Sequence, residues 1–277
     1  MKDESHGGAQ KLDWVTAWRE DWKRNEGHRS PEFWDQRAPS FAKHVSESDY
    51  SEQFIEIMQP EADWTVLDVG SGAGTLALPL ASRVRHVTAL DFSPVMMDLL
   101  RAACRRSSIQ NVTPVLGSWD DNWSLLGITK HDVALASRSM IVEDPRAALE
   151  KLNAIASRRV FVSFPVGDGP FDRRLFEALG RQLSRRADYI FAYNILHQMG
   201  ILANVAFIAT NRDKVYKSEV AAFESLLWMF PDASASEKAK LQDFVSQHLI
   251  RHGSTLRFDY DRTVRWAVMF WDVMGTI

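Results

Sequence analysis

The sequence predicts an α/β fold built on a doubly wound, mostly parallel sheet, and three observations point to it. Short apolar runs alternate with helix-like segments through the middle of the chain, as in sheets covered by helices on both faces. A glycine-rich turn follows the first run, and a carboxylate ends the second. The length of 277 residues suits one domain with appended segments better than two full-sized domains.

The first sixty residues predict three helices. Tryptophans recur at four-residue spacing with charges between them, which predicts an amphipathic helix with one aromatic stripe. A Ser-Pro pair then predicts the cap and first residue of a second helix, and a proline ends a third. The predicted helices span residues 12–26, 31–45 and 50–58. We expect residues 1–60 to form a helical cover over a domain spanning 61–277.

Strands and helices alternate in the next hundred or so residues, and this spacing predicts parallel strands joined by crossover helices. The predicted strands span residues 65–69, 87–90, 112–116, 133–136 and 160–164. The predicted helices span residues 75–84, 94–107, 145–157 and 171–184.

Two later runs of alternating polar and apolar residues, 204–216 and 256–271, predict an antiparallel pair at one edge of the sheet. They bring the predicted sheet to seven strands, with an antiparallel edge strand. Further helices predict a helical insert over about residues 187–253. Their predicted spans are 187–200, 217–229 and 235–251.

The composition excludes several classes of protein. Hydrophobic residues make up 45% and charged residues 25%, so the chain is neither largely disordered nor fibrous. Lys and Arg number 33 against 36 Asp and Glu, without a long basic run, which disfavours nucleic acid as the main partner. The single cysteine, Cys104, excludes an internal disulfide and fits a reducing cytosol.

The chain has no apolar run long enough to span a membrane, and its polar start lacks the apolar core of a signal peptide. We therefore expect a cytoplasmic protein. The ten tryptophans are a high count for this length. They indicate either a large aromatic core or a pocket for a flat or cationic ligand.

Three glycines at alternate positions, Gly70, Gly72 and Gly74, follow the first predicted strand. Glycines there let the backbone turn sharply and approach a ligand without a Cβ in the way. The second strand ends at Asp91, where an acid can accept hydrogen bonds from both ribose hydroxyls of a nucleoside cofactor. A plain strand–helix turn and a surface acid are the alternatives. The two features together favour the cofactor site.

The glycine spacing separates two cofactor classes. A dinucleotide fingerprint would place its third glycine at Thr75, whereas this chain has G-x-G-x-G. The runs LDVGSGAGTLALPLA and LDFSPVMMDLL resemble the first two motifs of the class I S-adenosylmethionine-dependent methyltransferases, and the resemblance covers about residues 60–165. It implies a Rossmann-like fold, S-adenosylmethionine as the cofactor and S-adenosylhomocysteine as the product. It also implies cofactor contacts at Asp68, Gly70, Ser71, Gly72, Gly74, Asp91, Phe92 and Ser93.

The resemblance implies further contacts after the third and fourth strands. Ser118 stands where the family most often has an acid, so Trp119 is expected on the adenine face and Asp120 at its amino group. Core packing and a helix cap are the respective alternatives. Ser137 begins the loop that lies beneath the transferable methyl group in family members. Arg138 could clamp an anionic substrate or form a structural salt bridge.

The N-terminal run EFWDQRA resembles a stretch that precedes the first motif in many small-molecule methyltransferases. The resemblance implies that Trp34 and Arg37 lie over the methionine end of the cofactor, with packing on the sheet as the alternative.

Tyr189, Tyr193 and His197 share one face of a predicted helix. They could form a substrate wall with His197 as general base, or a core stripe. His248 and His252 are four residues apart but have no third ligand in view, so no metal site is predicted.

The predicted function is methyl transfer to a small molecule. The expected roof of the acceptor pocket, residues 10–60 and 187–253, is rich in aromatic residues and not strongly basic. An NAD-dependent oxidoreductase on a similar sheet and a non-catalytic S-adenosylmethionine-binding protein are the alternatives.

Overall fold

The computed structural model of the protein describes residues 12–24, 31–38, 49–184, 186–211 and 215–273. Helices α1 to α3 precede the sheet and span Trp14–Arg24, Pro31–Asp35 and Tyr50–Met58. The alternating part comprises β1 (Thr65–Val69), α4 (Ala77–Leu80), β2 (His86–Asp91), α5 (Pro94–Arg106), β3 (Val112–Leu116), β4 (His131–Ser137), α6 (Pro145–Ile155) and β5 (Ala156–Pro165).

The remaining elements add two strands to this sheet and build a smaller unit beside it. They are α7 (Arg173–Leu179), α8 (Tyr189–Gln198), β6 (Asn204–Asn211), α9 (Glu219–Glu224), a 3-10 turn (Leu227–Met229), α10 (Ala235–His248), β7 (Leu249–His252), β8 (Thr255–Phe258) and β9 (Thr263–Asp272). Among the described residues, no helix has both the length and the apolar character needed to cross a membrane.

The seven-stranded sheet has the order β3-β2-β1-β4-β5-β9-β6, which confirms the predicted α/β class and strand number. The first five strands are parallel, and β9 runs antiparallel to both of its neighbours. The antiparallel strand therefore lies one place in from the edge, and β6 is outermost. Burial explains the order, because Trp266–Met269 of β9 are all buried, whereas β6 exposes alternate residues such as Phe207.

Helices cover both faces of the sheet. On one face, Tyr50, Phe54 and Met58 of α3 pack against alternate residues of the central strands. On the other, Trp18 of α1 packs with residues of α6 and α8. A third core lies beside the sheet between α7 and the segment from Tyr216 to Phe258. Because side chains alternate along β1, Asp68 shares the face that α3 covers.

Helix α1 fixes the start of the described chain to the carboxyl ends of the central strands. The Trp18 indole donates to the Val142 carbonyl at 2.8 Å, and its ring meets Phe164 edge to face. Asp21 accepts a hydrogen bond from the Ala187 amide at 2.8 Å. The aromatic stripe predicted for this helix thus attaches it to the body of the protein.

Several predicted elements differ from the structure in their extent. Helix α2 ends at Asp35 and a turn follows at residues 36–37; residues 39–45 of the predicted helix lie outside the described residues. The helix predicted to residue 251 ends at His248, where the β7–β8 hairpin begins. The predicted strand 256–271 is two strands, β8 and β9.

The edge strand also differs from its predicted extent. It ends at Asn211, and residues 212–214 lie outside the described residues. The predicted insert over about 187–253 includes β6 itself, so its parts outside the seven-stranded sheet are the helices and the hairpin.

Candidate functional site

The glycine loop, residues 70–74, follows β1 with three left-handed residues. The backbone φ angles of Gly70, Gly72 and Gly74 are 71°, 55° and 96°. A Cβ on Gly70 would lie 2.3 Å from the Ser139 Cβ, and one on Gly74 would lie 2.6 Å from a methyl of Leu100. A Cβ on Gly72 would meet nothing nearer than 3.9 Å. The outer glycines therefore serve close packing, whereas Gly72 leaves backbone accessible.

Asp91 joins the glycine loop to the end of β2. One carboxylate oxygen accepts from the Gly72 amide at 2.8 Å, and the other accepts from the Ser93 amide at 2.9 Å. Burial raises the pKa of this carboxyl group, and the two amides oppose that shift. Each oxygen keeps a lone pair for a further donor. The arrangement is that of a fixed acceptor pair at the carboxyl edge of the sheet.

Two other polar groups of the loop region are buried. The Ser71 hydroxyl has no hydrogen-bond partner among the described residues. Burial, with the nearby Asp91 charge, raises the pKa of Asp68 to about 7. A buried hydroxyl without a partner is uncommon in folded proteins, so this one indicates a place where a ligand or water completes the site.

The turn after β3 is fixed by hydrogen bonds. The Asp121 carboxylate accepts from the Ser118 amide at 2.7 Å and from its hydroxyl at 3.0 Å. The Trp119 indole donates to the Ser139 carbonyl at 3.1 Å, which brings Trp119 beside the loop after β4. Asp120 is exposed, and Asp121 holds the turn in its place. The predicted role of Asp120 at the adenine amino group stays a prediction.

Lys151 of α6 also holds the turn after β3. Its ammonium donates to the carbonyls of Trp119 at 2.7 Å and Asp121 at 2.6 Å, and lies 4.1 Å from the centre of the Trp123 ring. The Trp119 and Trp123 rings are 5.7 Å apart. Trp119 is thus both held in the core and partly exposed beside the loop.

The loop after β4 meets α3 in a buried polar cluster. The Tyr50 hydroxyl forms hydrogen bonds with Ser137 at 2.7 Å and Ser163 at 2.8 Å. The Arg138 amide donates to the Ser163 hydroxyl at 3.0 Å. The Arg138 guanidinium lies 4.1 Å from the centre of the Tyr50 ring and 5.6 Å from that of Trp266.

Helix α2 and the turn after it, residues 31–38, are called the α2 segment. This segment spans from the turn after β2 to the third core. The Ser93 hydroxyl donates to Asp35, and the same oxygen caps α5 by accepting from the Met96 amide. The Arg37 guanidinium donates to the Trp228 carbonyl at 2.9 Å. It also lies 3.9 Å from the centre of the Phe33 ring.

Trp34 packs edge to face on that same Phe33 ring, at 5.4 Å. Trp34 and Arg37 therefore belong to a segment that touches the Ser93 turn. Their predicted place over the methionine end of a cofactor stays a prediction.

Two of the three residues of the predicted stripe on α8 face solvent, whereas Tyr189 is partly buried and packs edge to face on Phe207, with ring centres 5.6 Å apart. Tyr193 and His197 are exposed, while Ala192, Ile195 and Leu196 form the buried side of the helix. Tyr193 and His197 are therefore not part of a core stripe, and the predicted substrate wall with His197 as general base stays a prediction. Near the third core, His248 pairs with Asp259 at 3.1 Å.

Sequence reasoning missed Tyr50, Ser163, Trp266, Ser139 and Asp35. One signal was readable, because Ser163 interrupts the otherwise apolar run VFVSF of β5. The other four residues had no local signal, since their contacts join residues far apart in the chain. Tyr50, for example, lies 113 positions from its hydrogen-bond partner in β5.

Comparison with known proteins gives a family match over the sheet's first half. Residues 66–158 match the model of a family described as a methyltransferase domain. An uncharacterized protein of Haemophilus influenzae is 34% identical over 260 residues, which cover 90% of this chain and 92% of that protein.

Two further proteins are similar to this chain. The ubiquinone/menaquinone biosynthesis C-methyltransferase UbiE of Zymomonas mobilis is 31% identical over 64 residues, 23% of this chain and 26% of that enzyme. The crystal structure of the YcgJ protein from Bacillus subtilis superposes with a TM-score of 0.54 at 12% identity, covering 81% of this chain and 98% of that one. This structural likeness shows a shared fold.

Proposed function

The chain belongs to the class I S-adenosylmethionine-dependent methyltransferases, and from this premise we propose that it transfers the methyl group to a small-molecule acceptor by in-line displacement. S-adenosylmethionine is its cofactor and S-adenosylhomocysteine its product. The bound cofactor supplies an electrophilic methyl carbon on a positively charged sulfur, so the protein's task is to position the acceptor and exclude water.

Three features of the described residues fit this cofactor. The buried Ser71 hydroxyl has a free hydrogen-bonding capacity, and the backbone at Gly72 is open on the side where a Cβ would stand. The Asp91 oxygens each use one amide, which leaves lone pairs for two ribose hydroxyls. We propose that the holding residues are Asp68, Gly70, Ser71, Gly72, Gly74, Asp91, Phe92, Ser93, Ser118, Trp119, Asp120, Ser137, Trp34 and Arg37.

The observation that carries the small-molecule proposal is the span of the α2 segment, residues 31–38. It contacts Ser93 beside the proposed cofactor residues through Asp35, and Trp228 of the third core through Arg37. A segment fixed at both ends across a site narrows access to it, which suits a small acceptor better than a folded RNA or protein. The net charge of -3 supports the same preference.

Residues of the described chain can align an acceptor without supplying a base. A general base is needed only when the attacking atom carries a proton at working pH. Carbon, sulfur and neutral nitrogen acceptors can react through positioning alone. We further propose that residues 1–60 act as the cover and that the enzyme works in the cytoplasm, which the free thiol of Cys104 suits.

The test is transfer of a tritium-labelled methyl group from S-adenosylmethionine in the presence of cell extract divided into small-molecule and macromolecular fractions. We expect label to enter a product only with the small-molecule fraction, and Asp91→Asn to abolish it. Label in RNA or protein would overturn the proposal.

A further inference from the structure

We propose that Arg138 binds a carboxylate of the methyl acceptor, so that the substrate is a small molecule carrying an anionic group that remains after transfer. This inference rests on the proposed function and deepens it by naming the substrate class. It is carried by the Arg138 cage, which consists of Arg138, Tyr50, Trp266, Ser137 and Ser163.

The backbone of Arg138 is held in an unusual conformation at the carboxyl end of β4. Its φ angle is 58°, in the left-handed region that residues with a Cβ rarely adopt. The hydrogen bond from its amide to the Ser163 hydroxyl, at 3.0 Å, fixes this geometry. Left-handed non-glycine residues concentrate at ligand-binding positions, where the surrounding structure holds them.

The guanidinium is oriented by two aromatic rings. Its carbon lies 4.1 Å from the centre of the Tyr50 ring and 5.6 Å from that of Trp266. The Tyr50 hydroxyl is in turn tied to Ser137 and Ser163, so the ring cannot swing away. Stacking on a ring leaves the donor edges of a guanidinium available for planar, two-pronged recognition of a carboxylate.

The charge of Arg138 lacks a partner within the described residues. Burial lowers the pKa of this guanidinium, and only the more distant Asp68 charge and Tyr50 oppose the shift. No described carboxylate lies within ion-pair distance of it, whereas Arg19, Arg158 and Arg181 each have one. Arg138 is half-buried, and a desolvated cation is normally paired, because desolvation without an anion is costly. The missing anion is therefore assigned to a ligand.

The position of the cage favours the acceptor over the cofactor as the source of that anion. Asp91, the proposed ribose residue, ends β2, whereas the cage is built on β4, β5 and β9. With neighbouring strands about 4.8 Å apart, β2 and β4 are separated by about 10 Å, and β5 and β9 lie farther still. Arg37, in the turn after α2, is the arginine already expected at the methionine end of the cofactor.

The first arm of the test distinguishes a carboxylate of the acceptor from the carboxylate of the cofactor as the group that Arg138 binds. Calorimetry measures the binding of S-adenosylhomocysteine and of methylthioadenosine, which lacks the amino-acid part. The proteins compared are the parent, Arg138→Gln and the control Arg101→Gln. Arg101 pairs with Asp98 on the surface. We expect all three to bind S-adenosylhomocysteine within about threefold of one another. If Arg138→Gln weakens S-adenosylhomocysteine tenfold or more and leaves methylthioadenosine unchanged, Arg138 holds the cofactor carboxylate and the proposal fails.

The second arm uses the labelled product of the small-molecule fraction. On the parent enzyme, the product should be retained by an anion-exchange resin at neutral pH; label that passes through unretained overturns the inference while leaving the proposed function intact. Label confined to macromolecules refutes the proposed function itself.

A variant series then ties the acceptor to Arg138. Arg138→Gln should raise the acceptor KM about 10- to 100-fold, the loss expected for a charge-assisted hydrogen-bond pair. Arg138→Lys, which keeps the charge but not the fork, should recover part of that loss with S-adenosylhomocysteine binding unchanged. An unaltered KM in Arg138→Gln contradicts the assignment.

Discussion

The Asp91 carboxylate accepts a hydrogen bond from the Gly72 amide at 2.8 Å, although the two residues are 19 positions apart. The other oxygen of the same carboxylate accepts from the Ser93 amide. One side chain thus fixes the glycine loop after β1 to the turn after β2. The lone pairs that remain on its oxygens are the acceptors that a ribose requires.

Asp91→Asn tests this double role. The new amide group must face one of the two backbone N–H donors with its own N–H, which breaks a charge-assisted bond and removes an acceptor from the site. We expect the Kd for S-adenosylhomocysteine to rise at least about tenfold, measured by calorimetry. Asp98→Asn, the same chemical change at an exposed position on α5, is the control. Equal affinities of Asp91→Asn and parent would refute the role.

Gly70→Ala tests the close packing of the glycine loop. The added Cβ would stand 2.3 Å from the Ser139 Cβ, and the residue would also keep a left-handed φ. Gly127 is a matched control, because its φ of 76° is similar and no atom lies within 4 Å of an added Cβ. Backbone strain alone predicts a loss of about 1–2 kcal/mol for Gly127→Ala.

Gly70→Ala should lose about 1–3 kcal/mol more than Gly127→Ala, because its methyl group also overpacks the contact with Ser139. Urea unfolding of both variants gives the comparison. Equal free energies of unfolding would mean that the loop relaxes and that packing against Ser139 does not explain the glycine.

The raised pKa of Asp68 predicts a pH-dependent stability. Folded Asp68 keeps its proton up to about pH 7, whereas the unfolded chain loses it near pH 4. The folded state therefore binds more protons in this window, and the free energy of unfolding falls as the pH rises through it. The stability that the raised pKa contributes is fully present below about pH 4, and the loss levels off above about pH 7.

Asp68→Asn cannot titrate and should escape this loss. Relative to the parent, its free energy of unfolding should increase by about 1 kcal/mol or more between pH 5 and pH 8. Asp91 contributes a shift of the same sign in both proteins, so the difference between them reports Asp68 together with its repulsion from Asp91. Denaturant titrations across this range measure the difference, and a difference that does not vary with pH would contradict the assigned pKa.

Arg37→Gln tests whether the contact with the third core holds the α2 segment in place. It removes the hydrogen bond to the Trp228 carbonyl and the stacking on Phe33. Hydrogen–deuterium exchange should then become faster in residues 31–38 and, reciprocally, around Trp228, while β1 and β4 stay protected. Arg101→Gln on α5 serves as the control. Exchange that changes in α2 alone would show that the contact with the third core does not hold the helix.

Much of the sheet was readable because its signals are local. The bounds of β1 and β3 follow directly from apolar runs ended by glycines or polar residues, and Asp91 follows from its spacing to the glycine loop.

The parts that sequence could not supply depend on distant contacts. The Arg138 cage joins α3, β4, β5 and β9, and no periodicity relates these segments. On α8 the pattern predicts two faces without stating which one is buried. The buried face is the more apolar one, with Ala192, Ile195 and Leu196, since burying these residues removes more apolar area from water than burying Tyr193 and His197.

A crystal structure of the protein with S-adenosylhomocysteine tests the account of the cofactor site most directly. The account predicts ribose hydroxyls within about 2.6–3.2 Å of the Asp91 carboxylate, together with a hydrogen-bond partner for the Ser71 hydroxyl. The Gly72 and Ser93 amides should keep their bonds to Asp91. A nucleoside bound elsewhere, with the Asp91 carboxylate touching only those two amides, would contradict it.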